Sequence, residues 1–121
     1  MTVVLGRVII FTKKMDEMTA FYCRHFEFEV PSAEMDNIIE LKSPEGGASL
    51  LLHRVSDKRK EGQAILKLVF DIEDVPEFCA KAERNGLKFG PLLMGDGYQF
   101  ANAKDPAGNS ISVSSRAFIS H

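Results

Sequence analysis

Few side chains in this sequence have the chemistry of a catalytic or metal-binding group. Of its histidines, His25 and His53 could join Glu40 in offering the nitrogen and oxygen ligands that divalent cations accept. These residues are scattered along the chain and show no recognisable ligand spacing. A metal-free acid–base catalyst needs a carboxylate or imidazole with a shifted pKa, and Asp71, Glu40 and His53 are the candidates. A relocated metal site and acid–base catalysis both stay open as alternatives.

The serine and cysteine side chains lack the sequence signatures of covalent catalysis. Ser110, Ser112 and Ser114 have no histidine at a fixed spacing and no Gly-x-Ser-x-Gly turn around them. Cys23 and Cys79 lie far apart in segments with a helical pattern and form no Cys-x-x-Cys pair. We therefore expect two reduced thiols, as in a cytoplasmic protein.

Length and composition limit the classes of partner that the chain can have. With 121 residues, of which 45% are hydrophobic and 26% charged, it has the size and composition of one ordinary globular domain. A net charge of −2 supplies no broad basic field, so nucleic acid is not expected as a partner. No apolar run approaches the ~20 residues of a membrane-spanning helix, and residues 1–10 lack the features of a signal peptide. No membrane partner is expected either.

An internal repeat positions the candidate residues. Residues 7–18 can be laid on residues 67–78 with the pattern of polarity kept, so that Arg7 corresponds to Lys67. Each copy opens with a β-rich apolar run, 8–12 or 65–72, and then changes to spacings of three and four residues, which predict an amphipathic helix. The helical positions are Met15, Met18, Tyr22 and Phe26 in the first copy, and Val75, Phe78, Ala82 and Gly86 in the second.

Each copy ends in strands joined by a tight turn. Ser43-Pro44-Glu45-Gly46 and Asp105-Pro106-Ala107-Gly108 both match a type I turn. The flanking strands are predicted at 37–42 and 49–52 in the first copy, and at 98–103 and 110–114 in the second. A charged stretch that contains Lys58-Arg59-Lys60 separates the copies. We expect a single domain over residues 1–121, with module one at 1–53, a hinge at 54–63 and module two at 64–121.

Four short motifs, in this order, resemble those of the vicinal oxygen chelate superfamily, which includes glyoxalase I, the bleomycin-resistance proteins and the extradiol dioxygenases. They are Gly6-Arg7-Val8-Ile9-Ile10-Phe11-Thr12, Ala20-Phe21-Tyr22, Phe26-Glu27-Phe28 and Asp105-Pro106-Ala107-Gly108-Asn109. The resemblance implies an α+β fold of two βαβββ modules. Their curved, eight-stranded mixed sheet would surround a cavity, with both helices on its outer face. It also implies a homodimer.

The sequence departs from this superfamily at the places that hold the metal. In its metalloenzymes, a divalent metal is bound by a His on each opening strand and a Glu on each closing strand. Arg7 and Lys67 stand at the His places, Ser112 at the second Glu place, and Leu50 or Leu51 at the first. Unit charges ~4 Å apart repel by about 4 kcal/mol at an effective dielectric constant of ~20, and a dication doubles this. We therefore expect the usual metal site to be lost, and no cofactor.

Strand alternation predicts which side chains line the cavity. If Val8 and Ile10 pack beneath the first helix, and Ile111 and Val113 beneath the second, then the residues between them face inward. The predicted ligand-binding residues are Arg7, Ile9, Phe11, Lys67, Val69, Asp71, Phe100, Asn102, Ser110 and Ser112.

These residues predict a metal-independent protein that sequesters or senses a polar or anionic small molecule, with Arg7 and Lys67 as its anchors. The two cations could instead extend to the rim of the cavity or pair with Asp71 or Glu40. A lyase, isomerase or dioxygenase of the same superfamily with an atypical metal site is the alternative function. A module that serves mainly to bind another protein is a third.

Overall fold

Each half of the chain folds as a strand, a helix and further strands. The structure is a computed structural model that describes residues 2–56, 58 and 60–119. Asp57 and Arg59 of the predicted hinge, and His121, lie outside the described residues. The elements are β1 Arg7–Thr12, α1 Met15–Phe26, β2 Ile38–Leu41, β3 Ser49–Arg54, β4 Lys67–Asp71, α2 Val75–Arg84, β5 Leu93–Met94, β6 Gln99–Lys104 and β7 Ser110–Ser114, followed by a 3-10 turn at Arg116–Phe118.

The chain divides into two compact units, Met1–Glu61 (unit 1) and Gly62–His121 (unit 2). The division falls within the stretch predicted to be a hinge, and β3 ends at Arg54, the first residue of that stretch. None of the helices among the described residues is both long enough and apolar enough to cross a lipid bilayer.

Both helices form where the sequence pattern predicts them. In α1, Asp16 and Glu17 lie in the first turn and Arg24 in the last, which complements the helix dipole. The helix ends at Phe26.

The second helix has a stronger start signal. The side chain of Asp74 accepts a hydrogen bond from the N–H of Glu77 at 3.1 Å, and proline occupies the first turn. The helix ends at Arg84, two residues before Gly86, which was the last of the predicted helical positions. Gly86 lies beyond the helix with φ +98°, a conformation that only glycine adopts without strain.

Unit 1 is a three-stranded sheet in the order β1-β3-β2, with β1 parallel to β3 and β2 antiparallel to it. Helix α1 buries Met15, Met18 and Tyr22. Leu50 and Leu52 are buried on the sheet, so Leu51 between them faces the other side. The register therefore assigns Leu51, and not Leu50, to the metal-ligand place that the sequence left ambiguous.

Unit 2 is a four-stranded sheet in the order β4-β7-β6-β5, with β4 parallel to β7 and the other pairs antiparallel. Its core includes Val75 and Ala82 from α2 with Ala101, Ile111 and Val113 from the sheet. The order of elements is the predicted βαβββ. The predicted opening strand began at Ile65, whereas β4 begins at Lys67. The Ile65 side chain lies before the strand and is fully exposed.

The α+β fold with two repeated modules is confirmed, but the eight-stranded sheet is only partly present. The described residues form seven strands, in sheets of three and four. In unit 1 the missing strand is reduced to the isolated bridges Glu29–Lys42 and Met35–Ile38. Met35 is six residues after Glu29, whereas their bridge partners Ile38 and Lys42 are only four residues apart. The segment between the two bridges therefore cannot pair with β2 residue by residue. Pro31 in this segment also has no N–H to donate.

The turn between β6 and β7 depends on the buried carboxylate of Asp105. Its Oδ1 accepts hydrogen bonds from the N–H groups of Ala107 and Asn109, at 3.0 and 2.9 Å, and its Oδ2 accepts one from the Asn109 side chain at 3.0 Å. Ser43 stands at the equivalent place of the other turn, and within the described residues its side chain makes no hydrogen bond.

Replacing Asp105 with Ala should lower the free energy of unfolding by about 1–3 kcal/mol, because two buried N–H groups lose their acceptor. Urea unfolding followed by circular dichroism measures the change. Ser43→Ala is the matched control and should shift stability by less than about 0.5 kcal/mol. Equal effects of the two substitutions would show that the carboxylate does not hold this turn.

Candidate functional site

In each unit, one side of the sheet packs against the helix and the other does not; we call the second side the open face. On the open face of unit 1, β1 contributes Arg7, Ile9 and Phe11, because Val8 and Ile10 between them turn toward the core. The register of β3 and β2 adds a further group of side chains to this face, namely Ser49, Leu51, His53, Ile38 and Glu40.

The open face of unit 1 is mainly apolar, with the cation of Arg7 at one end and the half-buried carboxylate of Glu40 on β2. Ile9 and Phe11 are 49% and 50% exposed, which is high for large apolar side chains. The rings of Phe11 and His53 contact each other at a centroid distance of 5.2 Å. Arg7 is exposed, and within the described residues its side chain forms no hydrogen bond or ion pair. This face can therefore offer an aromatic surface and a guanidinium group to a ligand.

The open face of unit 2 is mainly polar. Three rows of side chains cross β4, β7 and β6 in register: Lys67, Ser110 and Lys104 in the first; Val69, Ser112 and Asn102 in the second; Asp71, Ser114 and Phe100 in the third. The structure thus brings together on one face all the unit 2 residues that the sequence predicted to bind a ligand. Their role in binding remains a prediction.

Hydrogen bonds on this face fix both lysines. Lys67 Nζ donates to Asn102 Oδ1 at 2.9 Å, and Lys104 Nζ donates to Ser110 Oγ at 2.9 Å. Lys67 therefore uses an uncharged amide oxygen as its partner, and not the carboxylate of Asp71, which was the alternative that the sequence left open. Both ammonium groups keep their charge uncompensated and have further N–H donors for a ligand.

Sequence reasoning missed Lys104. The predicted strand ended at Ala103, one residue before it, whereas β6 continues to Lys104. The signal was available, because the alternation that puts Phe100 and Asn102 on the open face also puts Lys104 there.

Ser112 is less accessible than the sequence suggested. Its side chain is 3% exposed, and its Oγ donates a hydrogen bond to the carbonyl of Ala101 at 3.0 Å. Because it lies on the central strand β7, its small side chain is covered by larger neighbours on either side. The hydroxyl satisfies the backbone of the adjacent strand and is not available as a nucleophile.

The side chains at the superfamily's metal places do not fit a divalent cation. In unit 1 they are the guanidinium of Arg7 and the hydrocarbon of Leu51; in unit 2 they are the ammonium of Lys67 and the hydroxyl of Ser112. None is an imidazole or a carboxylate, and the two cations would repel a metal ion.

The alternative ligand set is only partly brought together. Glu40 and His53 share the open face of unit 1, whereas His25 lies on α1, whose buried side chains pack on the opposite face. Across the described residues, no group of three or more His, Cys, Asp or Glu side chains could hold a metal ion. Asp71, the remaining acid–base candidate, lies on the open face of unit 2 beside Ser114.

The comparison with protein families matches the fold. Residues 4–113 match the family model of the Glyoxalase/Bleomycin resistance protein/Dioxygenase superfamily. The chain belongs to this superfamily. No curated protein sequence matches it.

Solved structures of this superfamily's fold are similar over almost the whole chain. UcmS2 superposes with a TM-score of 0.78 at 19% identity, over 95% of this chain and 99% of that one. TnmS3, an antibiotic-binding protein from Streptomyces sp. CB03234, gives 0.77 at 17% identity, over 93% and 94%. Lactoylglutathione lyase from Agrobacterium tumefaciens gives 0.72 at 20% identity, over 93% of each chain. At these identities the likeness shows a shared fold alone.

His25 is held in an environment that disfavours its charged form. Its Nδ1 atom is buried and has no hydrogen-bond partner, and its ring lies 5.1 Å from that of Phe21. Burial, and then the charge of Arg24, lower the pKa of His25 below the ordinary value of 6.5. This is the environment of a packed neutral histidine.

The protein should therefore lose stability as the pH falls through 6.5, because the unfolded chain binds the His25 proton more tightly than the folded chain does. Unfolding midpoints in urea at about pH 7.5 and about pH 5.5 measure this loss. The loss should be smaller in His25→Gln, which cannot take up the proton. The same loss in both proteins would contradict the assignment.

Proposed function

We propose that this protein binds a small polar or anionic molecule without a metal ion, through the open faces of its sheets, and that it sequesters or senses that molecule. The observation that carries the proposal is the replacement of imidazole by a cation on both opening strands, at Arg7 and Lys67. Membership of a superfamily that includes bleomycin-resistance proteins supports a binding role.

Electrostatics favours an anion where relatives bind a cation. The attraction between a cation and a carboxylate ~4 Å away amounts to about 4 kcal/mol at an effective dielectric constant of ~20. It is weaker where water has access. Arg7 can bind a carboxylate or phosphate with two parallel hydrogen bonds, whereas Lys67 acts as a point charge. The exposed side chains of Ile9, Phe11 and Val69 offer apolar area beside these cations. An aromatic or amphipathic anion matches this combination best.

The ligand-sequestering role has a precedent of the same fold in TnmS3, which is described as an antibiotic-binding protein. We extend that kind of role, and not its ligand, to this chain. We also propose a homodimer, as the resemblance implies, which would cover part of the exposed apolar surface. A cytoplasmic location is consistent with the two free thiols, Cys23 and Cys79.

A lyase, isomerase or dioxygenase with an atypical metal site is the second candidate. It is favoured by the position of Glu40 and His53 on one face of unit 1, and lactoylglutathione lyase has the same fold. Two ligands leave a site incomplete for most dications, so the enzyme would need groups from outside this face. Its requirement for a divalent ion distinguishes it from the binding protein.

Thermal denaturation in the presence of aromatic carboxylates and organic phosphates tests the proposal. A ligand present at ten times its Kd stabilises the folded state by about 1.4 kcal/mol, which raises the Tm by roughly 4–8 °C for a domain of this size. The double substitution Arg7→Met with Lys67→Met should abolish the rise, because both anchoring charges are removed.

The matched control removes two exposed charges that lie on the helices and therefore outside the open faces, with Arg24→Met and Lys81→Met. It produces the same change in net charge and should keep the ligand-dependent rise in Tm. An equal rise in all three proteins would contradict the assignment of Arg7 and Lys67 as anchors.

A further inference from the structure

Unit 1 has a cavity outside its open face, between α1 and the segment 30–34. Its volume is about 360 Å³. Asp16, Thr19, Ala20 and Cys23 line one wall, at the spacing of one helix face, while Ile39 belongs to the helix side of the sheet. The cavity is therefore separate from the surface that carries Arg7.

The cavity exists because the chain is too long for its place in the sheet. Between the bridges Glu29–Lys42 and Met35–Ile38, the chain has two more residues on one side than on the other. The segment 30–34 therefore leaves the edge of β2 and passes beside α1; we call this segment the arch. The corresponding hairpin of unit 2 pairs Leu93 with Phe100 without extra residues. Bulges of this kind are frequent beside binding sites, where they redirect side chains.

A bidentate ion pair holds the arch in position. Arg54, at the end of β3, donates from Nε and Nη2 to the two carboxylate oxygens of Glu34, at 3.0 and 2.7 Å. Its own N–H also donates to the carbonyl of Asn37 at 2.8 Å. These hydrogen bonds attach the segment to the end of β3, and the space between the segment and α1 forms the cavity.

The chemistry of the cavity selects its ligand. The walls are largely apolar, with Ala20, Val30 and Ile39 among the lining residues. Two carboxylates, Asp16 and Glu34, line the cavity, and Arg54 forms its ion pair with Glu34 while its charge also acts on Asp16. One guanidinium balances only one of the two carboxylates, so the site has an apolar surface and a net negative charge.

We propose that this cavity binds a small apolar amine, whose hydrocarbon part lies between α1 and the arch and whose ammonium group contacts Asp16. The volume is more than twice that of an engineered 150 Å³ cavity that binds benzene, so a bicyclic aromatic ring is an appropriate size. An ammonium–carboxylate hydrogen bond supplies the specificity, because Asp16 would repel an anion and a neutral molecule would gain no charge-assisted hydrogen bond.

Fluorescence titration with 1-naphthylmethylammonium tests the proposal, with 1-naphthalenemethanol and 1-naphthoate as the neutral and anionic probes. The ammonium probe should bind at least tenfold more tightly than the other two. Asp16→Asn should weaken its binding about tenfold and leave the affinity for the neutral alcohol unchanged.

Cys23 provides an independent readout, because its thiol lines the cavity. Burial raises the pKa of this thiol, so its alkylation is slow and easily followed. In a Cys79→Ser background, saturating 1-naphthylmethylammonium should slow alkylation of Cys23 by iodoacetamide. Alkylation that slows with protein concentration in the absence of the probe would instead identify a second copy of the chain as the occupant and overturn the proposal.

Filling the cavity should abolish binding of the ammonium probe. Ala20→Phe does this from the helix, and Ala33→Leu does it from the arch, so that one variant remains if the other fails to fold. Ala80→Phe changes the equivalent exposed position of α2 and is the matched control, which should bind normally. Arg7→Met with Lys67→Met should also bind the amine normally, because those residues lie outside the cavity. Retained binding in both filled variants, or equal binding of the three probes, would overturn the proposal.

Discussion

The two-residue periodicity of the strands is the constraint on which the rest of this structure depends. Each sheet must bury one row of apolar side chains against a helix, as Leu50 and Leu52 show in unit 1, with Val8 and Ile10 beside them on β1. The intervening residues are then committed to the other side, whatever their chemistry. A shift of one residue would bury Arg7, so the register and the charge of the open face are fixed together.

The two units use this constraint differently. The open face of unit 1 is apolar and aromatic, whereas that of unit 2 carries two lysines, an amide and three hydroxyl groups in register. Unit 1 also carries the arch between Glu29 and Met35, which unit 2 does not have. The internal repeat therefore preserves the backbone pattern and lets the side chains of each copy serve a separate purpose.

The elements were predictable from the sequence because they depend on local periodicity and turn residues, which is why α1, α2 and the turn at Asp105 are where the pattern places them. The choice between Leu50 and Leu51 was not predictable, because an unbroken apolar run has no alternation to read. The arch was missed for a related reason: its two extra residues are evident only against the bridges that flank them. Lys104 was missed because the predicted strand ended one residue too early. The sequence therefore predicts which side of the sheet each side chain of a strand faces. It does not predict how neighbouring strands pair with one another.

Elemental analysis of the full chain, purified without chelators, tests the central claim most directly. We expect zinc, iron, manganese and nickel contents well below one ion per chain, because cations, a hydroxyl and hydrocarbon stand where the superfamily's ligands would be. One divalent ion per chain that survives dialysis, and is lost when Glu40 or His53 is replaced by Ala, would contradict it. The enzyme with an atypical metal site would then be the better account of this protein.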